Sequence, residues 1–349
     1  MNARLELKMR ILAIMLTGGL LGGLVFVISR GHTTAGDLRA GIVYGLLISS
    51  AIAVFELFIA NGALREQLGR LPFTLSVLVR SAIYAAIIIP IQYYEIGAVL
   101  AGVPVDDDRA SFWSATIYSG LFSIAMNLVL AITNLIGTRA LSNFITGRYH
   151  SPVQENRFVL FVDIAGSTGL AERLGGVGIH RFLDRTFRLL TLQVADFRGE
   201  VLHYVGDEVI VTWPERSGAV DCRPLRCFLA MREALAGAAP QFAREFGAAP
   251  QIRGSLHFGT VTVGEIGDIK RAIVFNGDVM NIAARLEQSS RDIAGGFLAS
   301  RAALLRFGAP PPVPLCDLGR LPIRGRADGI DVMGLAEPAL ATAAASASP

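Results

Sequence analysis

The sequence has few cysteines and few charged residues, and both deficits restrict what the protein can be. Three cysteines among 349 residues exclude a disulfide framework, and such sparse usage is typical of a reducing compartment. Charged residues make up 17% of the chain, whereas about a quarter is usual in soluble domains, so a purely soluble protein does not fit. The net charge of +3 is too small to indicate a nucleic-acid partner.

Apolar residues, in contrast, are abundant and unevenly distributed. They make up 52% of the chain, and the mean hydropathy is +0.49, which excludes disorder for most of it. The length allows about two domains. The excess of basic over acidic residues lies entirely in residues 1–150, which are also the most apolar. We therefore expect two parts of different character.

Four apolar runs predict an all-α transmembrane domain over residues 1–136. Each approaches the roughly 20 residues that a helix needs to cross a bilayer, where only helices satisfy the backbone of a single segment. A cleaved secretory signal is the alternative for the first run, but no small-residue cleavage site follows it. The predicted helices cover about 11–29, 40–60, 73–95 and 111–136.

The charges beside these helices predict their orientation. Basic residues precede the first helix and lie in the second loop and after the fourth helix, whereas the third loop contains residues 106–108, all aspartate. The positive-inside rule then places the N-terminus and the catalytic part in the cytoplasm, in a multi-pass protein of the cell (inner) membrane. Arg30 and Arg39 in the first loop weaken the pattern. The basic residues are Arg4, Lys8, Arg10, Arg65, Arg70, Arg139 and Arg148.

Three ionisable residues lie in or near the predicted membrane helices. They are Glu56, Arg80 and Glu95. Charges within a membrane are costly, so they indicate either positions near helix ends or a polar cluster inside the helix bundle. The sequence names no ligand for such a cluster, and it leaves open whether the helices regulate, assist dimerisation or only anchor.

The pattern changes after a predicted linker at residues 137–156. From Arg157 to residue 336 the order is strand, helix, hairpin, helix, strand pair, helix. This order predicts an α+β sandwich of the ferredoxin-like βαββαβ kind, with a mostly antiparallel sheet. No GxGxxG or Walker motif stands in a strand–helix context. The Ala- and Ser-rich residues 337–349 are predicted to form a disordered tail.

Two aspartates mark a candidate metal site. Asp163 ends the first strand of this domain, and Asp207 lies in the Gly-Asp turn of the hairpin, so antiparallel pairing could bring both carboxylates to one end of the sheet. Mg²⁺ typically combines one or two carboxylates with substrate phosphates. Glu208, beside Asp207, is interpreted as a solvated hairpin residue. We expect two divalent cations, Mg²⁺ or Mn²⁺, holding a nucleoside triphosphate.

Two further groups complete the predicted constellation. The residues after Asp163 open a helix, and amides at a helix start bind phosphate oxygens. Asn281 and Arg285 are four residues apart on one helical face, where an amide and a guanidinium can hold a ribose and a phosphoryl transition state. The predicted phosphate-binding residues are Ala165, Gly166, Ser167 and Thr168.

Three segments together resemble the signature segments of class III nucleotidyl cyclases. They are FVDIAGST (161–168), HYVGDE (203–208) and NGDVMNIAARLE (276–287), in the family's order. The resemblance covers about residues 157–335 and implies a membrane-anchored, bacterial-type adenylate cyclase. Such an enzyme converts ATP to 3′,5′-cyclic AMP and pyrophosphate for signal transduction, at sites formed between the two subunits of a homodimer.

The resemblance also assigns roles to individual residues. Asp163 and Asp207 match the metal-binding aspartates, with the backbone of Ile164 as a further ligand. Asn281 and Arg285 match the pair that orients the ribose and stabilises the transition state, with the metals held by one subunit and this pair supplied by the other. Arg324 stands where the family often has a phosphate-binding lysine, in a looser motif.

The positions that read the purine depart from the family. Adenylyl cyclases commonly have Lys where this chain has His203, and Asp or Thr where it has Val274. Guanylyl cyclases commonly use Glu and Cys there, so ATP is the default and GTP the alternative. A catalytically degenerate regulatory or binding module also remains open. A diguanylate cyclase, to which YVGDE is similar, is disfavoured by the Asn281 motif, and a pure transporter would leave half the chain without a role.

Overall fold

The computed structural model divides into two compact units, 3–146 and 147–349. The structure describes residues 3–29, 31, 34–63, 71–94, 96–102, 109–136, 143, 146–269, 271–322 and 329–336. The predicted disordered tail at 337–349 lies outside these residues.

The first unit consists of apolar helices. Within the described residues, four are long and apolar enough to cross a membrane: Ile11–Ser29, Ala35–Ala60, Phe73–Tyr93 and Phe112–Val129. They correspond to the four predicted runs and indicate membrane association. The helices are α1 (Ala3–Ser29), α2 (Ala35–Val54), a π-helical segment (Phe55–Ala63) that continues α2, α3 (Phe73–Tyr93), α4 (Ile96–Ala101) and α5 (Arg109–Ile136).

Two of the three ionisable residues singled out from the sequence form an interior cluster rather than lying at helix ends. Glu56, in the π-helical segment, is 3% exposed and forms an ion pair with Arg80 of α3. Its Oε1 atom accepts a hydrogen bond of 2.7 Å from the hydroxyl of Tyr84. A buried carboxylate needs such partners because hydrocarbon supplies none. Glu95 lies outside the described residues.

The second unit is built on one eight-stranded sheet. The strand order is β2-β3-β1-β4-β6-β8-β7, with β5 paired to β4. Among the described strands, all neighbours pair antiparallel except β4 and β6. The inner order β4-β1-β3-β2 is that of a βαββαβ unit, as predicted. The strands are β1 (Val153–Ile164), β2 (Glu200–Val205), β3 (Glu208–Pro214), β4 (Ile252–Ile266), β5 (Ala272–Asn276), β6 (Phe297–Ser300), β7 (Leu315–Leu321) and β8 (Ile330–Leu335).

Helices cover both faces of this sheet, and the alternation of side chains along β1 separates the two faces. Phe158, Leu160 and Val162 pack in one core with residues of α6 and α8, whereas Val159 and Phe161 pack in a second core with residues of α9. Period-2 alternation places Asp163 on the α9 face. The helices are α6 (Ser167–Asp196), α7 (Glu215–Gly218), α8 (Arg223–Phe246), α9 (Asp278–Ser290) and α10 (Arg301–Leu304).

The first strand of this unit is longer than the sequence pattern predicted. β1 begins at Val153 rather than Arg157, so residues 153–156 of the predicted linker belong to the sheet. These residues pair with 260–263 of β4, opposite polar and β-branched partners. The prediction missed them because Gln154, Glu155 and Asn156 interrupt the apolar pattern, whereas strand pairing depends on the backbone of β4.

Candidate active site

The two candidate metal-binding aspartates lie at one end of the sheet. Asp163 is the penultimate residue of β1 and pairs with Glu208 at the start of β3. The Gly206-Asp207 turn precedes β3, and the Asp207 carbonyl accepts a hydrogen bond of 3.2 Å from the amide of Ile164. This bond ties the hairpin turn to the end of β1. The structure therefore brings Asp163, Ile164 and Asp207 together.

The start of α6 lies beside these aspartates. Gly166 precedes the helix in a left-handed conformation with φ +73°, which glycine adopts without strain, and no side chain caps this helix end. The hydroxyl of Ser167 donates a hydrogen bond to Oδ2 of Asp207. The first-turn amides, including that of exposed Thr168, therefore have no competing side-chain acceptor at this end.

Ala165 does not fit its predicted role in phosphate binding. Its amide donates a hydrogen bond of 2.8 Å to the carbonyl of Gln251, just before β4. This bond extends the pairing of β1 with β4 by one residue, and it uses the donor that a phosphate would need. The predicted phosphate contacts are therefore left to the residues from Gly166 onward.

Four acidic residues share this end of the sheet, and the pKa values of three of them are raised. Asp163 is 7% exposed, and its burial, Asp207 and Glu287 raise its pKa to about 6. Burial, followed by Glu287, Asp163 and Asp207, raises the pKa of Glu208 to about 7. The interpretation of Glu208 as a solvated residue was wrong, because its position opposite Asp163 in the β1–β3 pair leaves it half-buried.

Sequence reasoning also missed Glu287 and Arg291. Glu287, in the last turn of α9, is 2% exposed, and its burial raises its pKa against the opposing charge of Arg291. The Nη2 atom of Arg291 lies 3.6 Å from Oε2 of Glu287 and 3.8 Å from Oδ2 of Asp163. The available signal was that Glu287 ends the third motif and Arg291 stands four residues further on.

The site fits a hard divalent cation. Its donors are carboxylate oxygens, which Mg²⁺ and Mn²⁺ prefer over nitrogen or sulfur. A buried oxygen of Glu287 also has no hydrogen-bond partner within the described residues. No group of three or more His, Cys, Asp or Glu side chains in that part of the chain forms a complete metal site. A cation that takes its other ligands from substrate phosphates needs no such group.

Asn281 and Arg285 lie on one side of α9, and the helix packs on the sheet by its other side. Ile282 and Leu286 are buried, whereas Asn281 is exposed and Arg285 half-buried. Because the two side chains are four residues apart, they are neighbours on the helix surface. They are therefore placed to act on a group that approaches α9 from the side opposite the sheet.

The structure does not bring the other predicted site residues together with the acidic cluster at the end of β1. His203 is exposed on β2, and Val274 is half-buried on β5. Strands β3, β1 and β4 lie between β2 and β5, so the two residues are not cross-strand neighbours. Arg324 lies outside the described residues.

Residues 150–294 match the family model of the adenylate and guanylate cyclase catalytic domain. The chain is 32% identical over 300 residues to adenylate cyclase 2 of Rhizobium meliloti (strain 1021), and the match covers 84% of this chain and 82% of that protein.

The chain belongs to the class III nucleotidyl cyclases. This cyclase is also 24% identical over 180 residues to the adenylate cyclase of Anabaena cylindrica, a match that covers 50% of the chain and 35% of that protein. Its fold is similar to that of a bacterial light-regulated adenylyl cyclase, with a TM-score of 0.53 at 18% identity and coverage of 66% of each chain. The predicted family, α+β fold and enzyme class are thereby confirmed, and nucleotidyl cyclase activity follows.

Proposed function

We propose that this cyclase converts ATP to 3′,5′-cyclic AMP and pyrophosphate at two equivalent sites of a membrane-bound homodimer. The observation that carries the proposal is the cluster at the end of β1. Two buried or half-buried aspartates lie there beside a helix start that has no side-chain cap. A triphosphate needs both parts, because its charge requires cations and its oxygens require donors.

Asp163 and Asp207, with the backbone of Ile164, would hold two Mg²⁺ or Mn²⁺ ions. When bound, these ions neutralise the phosphates and stabilise the charge that develops during phosphoryl transfer. The Ser167 hydroxyl orients the Asp207 carboxylate through its hydrogen bond. The first-turn amides of α6 bind phosphate oxygens, and the proposed contribution of Arg324 is of the same kind.

The reaction is an internal phosphoryl transfer. The ribose 3′-oxygen forms a bond to the α-phosphorus while the bond from that phosphorus to the leaving pyrophosphate breaks. Asn281 would orient the ribose, and Arg285 would stabilise the charge on the transferring phosphoryl group. No side chain in the three motifs is an obvious general base, so catalysis rests on positioning and electrostatics.

A second copy of the chain would supply Asn281 and Arg285 to each site. The support is their placement on α9, because their side of the helix is not used for packing on their own sheet. One chain carries one aspartate set and one Asn/Arg set, so a symmetric dimer contains two complete sites. Such a site has both halves only when two chains assemble.

ATP is the proposed substrate, and the relatives named adenylate cyclases support it. His203 is exposed on β2 and can hydrogen-bond a base edge, whereas Val274 offers only packing. The glutamate with which guanylyl cyclases commonly read guanine is absent from the matching position. GTP is therefore the substrate with which ATP must be compared.

The apolar helices would anchor the catalytic unit at the cell membrane. Four of them have the length and composition of membrane spans. The basic residues at both ends of this region support a cytoplasmic N-terminus and a cytoplasmic catalytic unit. ATP is available on that side.

Product analysis with an Asp207→Ala variant tests the reaction and its substrate together. The full-length protein is purified in detergent and incubated with Mn²⁺ and either ATP or GTP, and the product is identified by mass spectrometry. We expect cyclic AMP from ATP, and a loss of at least about 100-fold in Asp207→Ala because the site loses half of its metal-binding carboxylates.

The matched control is Asp184→Ala, which removes an exposed aspartate from α6. This variant should keep wild-type activity. Retained activity in Asp207→Ala would contradict the metal assignment, and faster turnover of GTP would replace the proposed substrate.

A further inference from the structure

Glu287 is a buried carboxylate whose hydrogen-bonding capacity is not used. Its residue exposure is 2%, and its Oε1 atom has no hydrogen-bond partner within the described part of the chain. A buried polar atom without a partner costs free energy, and a buried carboxylate costs more. A residue of this kind in a functional site indicates a partner that binds there.

The surroundings of Glu287 show which kind of partner fits. Glu287 interacts electrostatically with the carboxylates of Asp163 on β1, Asp207 in the β2–β3 turn and Glu208 on β3, so the local charge favours a cation. The guanidinium groups that oppose this charge belong to Arg291, after α9, and Arg253, on β4.

Arg291 is the nearer counter-ion and is placed to leave. Its Nη2 atom lies 3.8 Å from Oδ2 of Asp163 and 3.6 Å from Oε2 of Glu287, so one guanidinium lies close to both carboxylates. Its side chain is 51% exposed, whereas that of Glu287 is 3% exposed. An exposed arginine can turn into solvent at little cost, but a buried glutamate stays in place.

We propose that Glu287 and Arg291 form a positioning pair for the divalent-cation site. Arg291 lies against Asp163 and Glu287 until a cation enters and then turns into solvent, so that the freed charge of Glu287 adds to that of the metal-binding aspartates. The inference rests on the proposed function. In this proposal Glu287 acts through its charge, as a positioning residue and not as a ligand.

The two residues should affect cation binding in opposite directions. Mn²⁺ is titrated into the full-length protein in the presence of 3′-deoxy-ATP, which supplies the phosphate ligands and has no 3′-hydroxyl to react. The free ion is measured by electron paramagnetic resonance. Glu287→Gln should weaken Mn²⁺ binding about tenfold, as loss of a supporting group does in other metal sites. Arg291→Gln should tighten binding about two- to fivefold, because it removes a competing cation held by a weak, exposed ion pair.

The controls are Asp184→Asn and Arg188→Gln. These residues form the same kind of i,i+4 helical pair, at 3.0 Å, on the surface of α6. Neither change should alter Mn²⁺ binding. Asp163→Asn should abolish specific Mn²⁺ binding. The binding that this variant loses is the binding whose change is measured in the other variants.

The outcomes separate this inference from the proposed function. If wild-type protein binds no Mn²⁺ that depends on Asp163, the metal assignment fails and the inference fails with it. If Asp163→Asn abolishes binding but Arg291→Gln leaves it unchanged or weakens it, only the positioning pair is overturned. Arg291 is exposed, so Arg291→Gln should fold. Its Mn²⁺ affinity therefore tests the positioning pair even if Glu287→Gln is unstable.

Discussion

At the scale of single residues, Arg157 is the buried cation on which the start of the catalytic sheet depends. It is 3% exposed on β1. Its guanidinium donates to Glu155 at 2.8 Å and to Glu200 at 3.0 Å, and it lies 5.0 Å from the ring centre of Phe275. Partners on three strands therefore meet at one side chain. A buried ion is tolerated only with such partners.

Replacing Arg157 with Met should destabilise the catalytic unit. The change removes the cation but leaves the carboxylates of Glu155 and Glu200 mostly buried, which should cost about 3 kcal/mol of unfolding free energy. Thermal denaturation of the purified protein measures the effect. Arg188→Met is the control because Arg188 is 55% exposed, and it should change little. Equal melting temperatures for the two variants would contradict this role of Arg157.

The same variant should weaken one pH dependence of stability. Burial by itself raises the pKa of Glu155, but the hydrogen bond and charge of Arg157 outweigh burial and hold that pKa below its usual range. In the wild type, the stabilisation from Glu155 is present above the ordinary glutamate pKa of about 4.3 and is lost as the pH falls through the lower folded value. In Arg157→Met the pKa of Glu155 should rise, because only the hydrogen bond of Tyr149 and the charge of Arg148 still oppose burial. Thermal denaturation over a series of pH values should therefore show a smaller loss of stability on acidification than in the wild type.

Which site residues could be predicted from the sequence depended on whether local pattern or tertiary packing places them. Asp163 and Asp207 could be predicted because strand ends and hairpin turns are visible in the pattern. Glu208 was misread because its pairing opposite Asp163 leaves it half-buried, and Glu287 was missed because it is buried where α9 packs on β4 and β1. The hydrophobic periodicity of one segment does not show which of its residues are covered by another segment of the chain.

At the scale of elements, the contact between α1 and α2 depends on backbone closeness. A Cβ atom added to Gly45 would lie 2.1 Å from the carbonyl oxygen of Gly19, and one added to Gly23 would lie 2.0 Å from that of Gly41. Neither distance is possible without separating the helices. Helices in a membrane associate without a hydrophobic driving force, because lipid is as apolar as their side chains. Small residues let the two backbones approach closely and so increase the dispersion energy of the contact.

Gly45→Ala should therefore destabilise the helix unit, although alanine is the better helix former. We expect a loss of about 1–3 kcal/mol from overpacking. The measurement is the melting temperature of the detergent-purified protein. The control is Gly120→Ala in α5, where an added Cβ has nothing within 4 Å, and which should be neutral or slightly stabilising. Equal behaviour of the two variants would contradict the close contact.

The elements themselves were largely predictable from hydropathy and turn residues. The membrane helices, the hairpin at Gly206-Asp207 and strand β4 lie close to their predicted positions. The start of α2 at Ala35 was missed because it depends on a capping box between Thr34 and Asp37 rather than on apolar residues. The π-helical segment was missed as well, because a change of helical hydrogen-bonding pattern leaves no periodic signal in nine residues.

At the scale of the whole molecule, the proposed site needs two chains. Asp163 and Asp207 lie at the end of β1, whereas Asn281 and Arg285 occupy the side of α9 that turns away from its own core. If the two sets meet only across a dimer, a variant in one set should complement a variant in the other. Two variants in the same set should not, because no pairing of such chains restores a metal-binding half.

Co-expression of Asp163→Ala with Arg285→Ala tests this directly. Each variant alone should be inactive. Random pairing makes half of the dimers mixed, and each mixed dimer has one intact site of two, so activity should recover to about a quarter of the wild-type value. Differently tagged chains and sequential affinity purification isolate the mixed dimers. Asp163→Ala with Asp207→Ala is the control and should remain inactive, whereas no recovery in a verified Asp163→Ala and Arg285→Ala dimer would contradict a site shared between subunits.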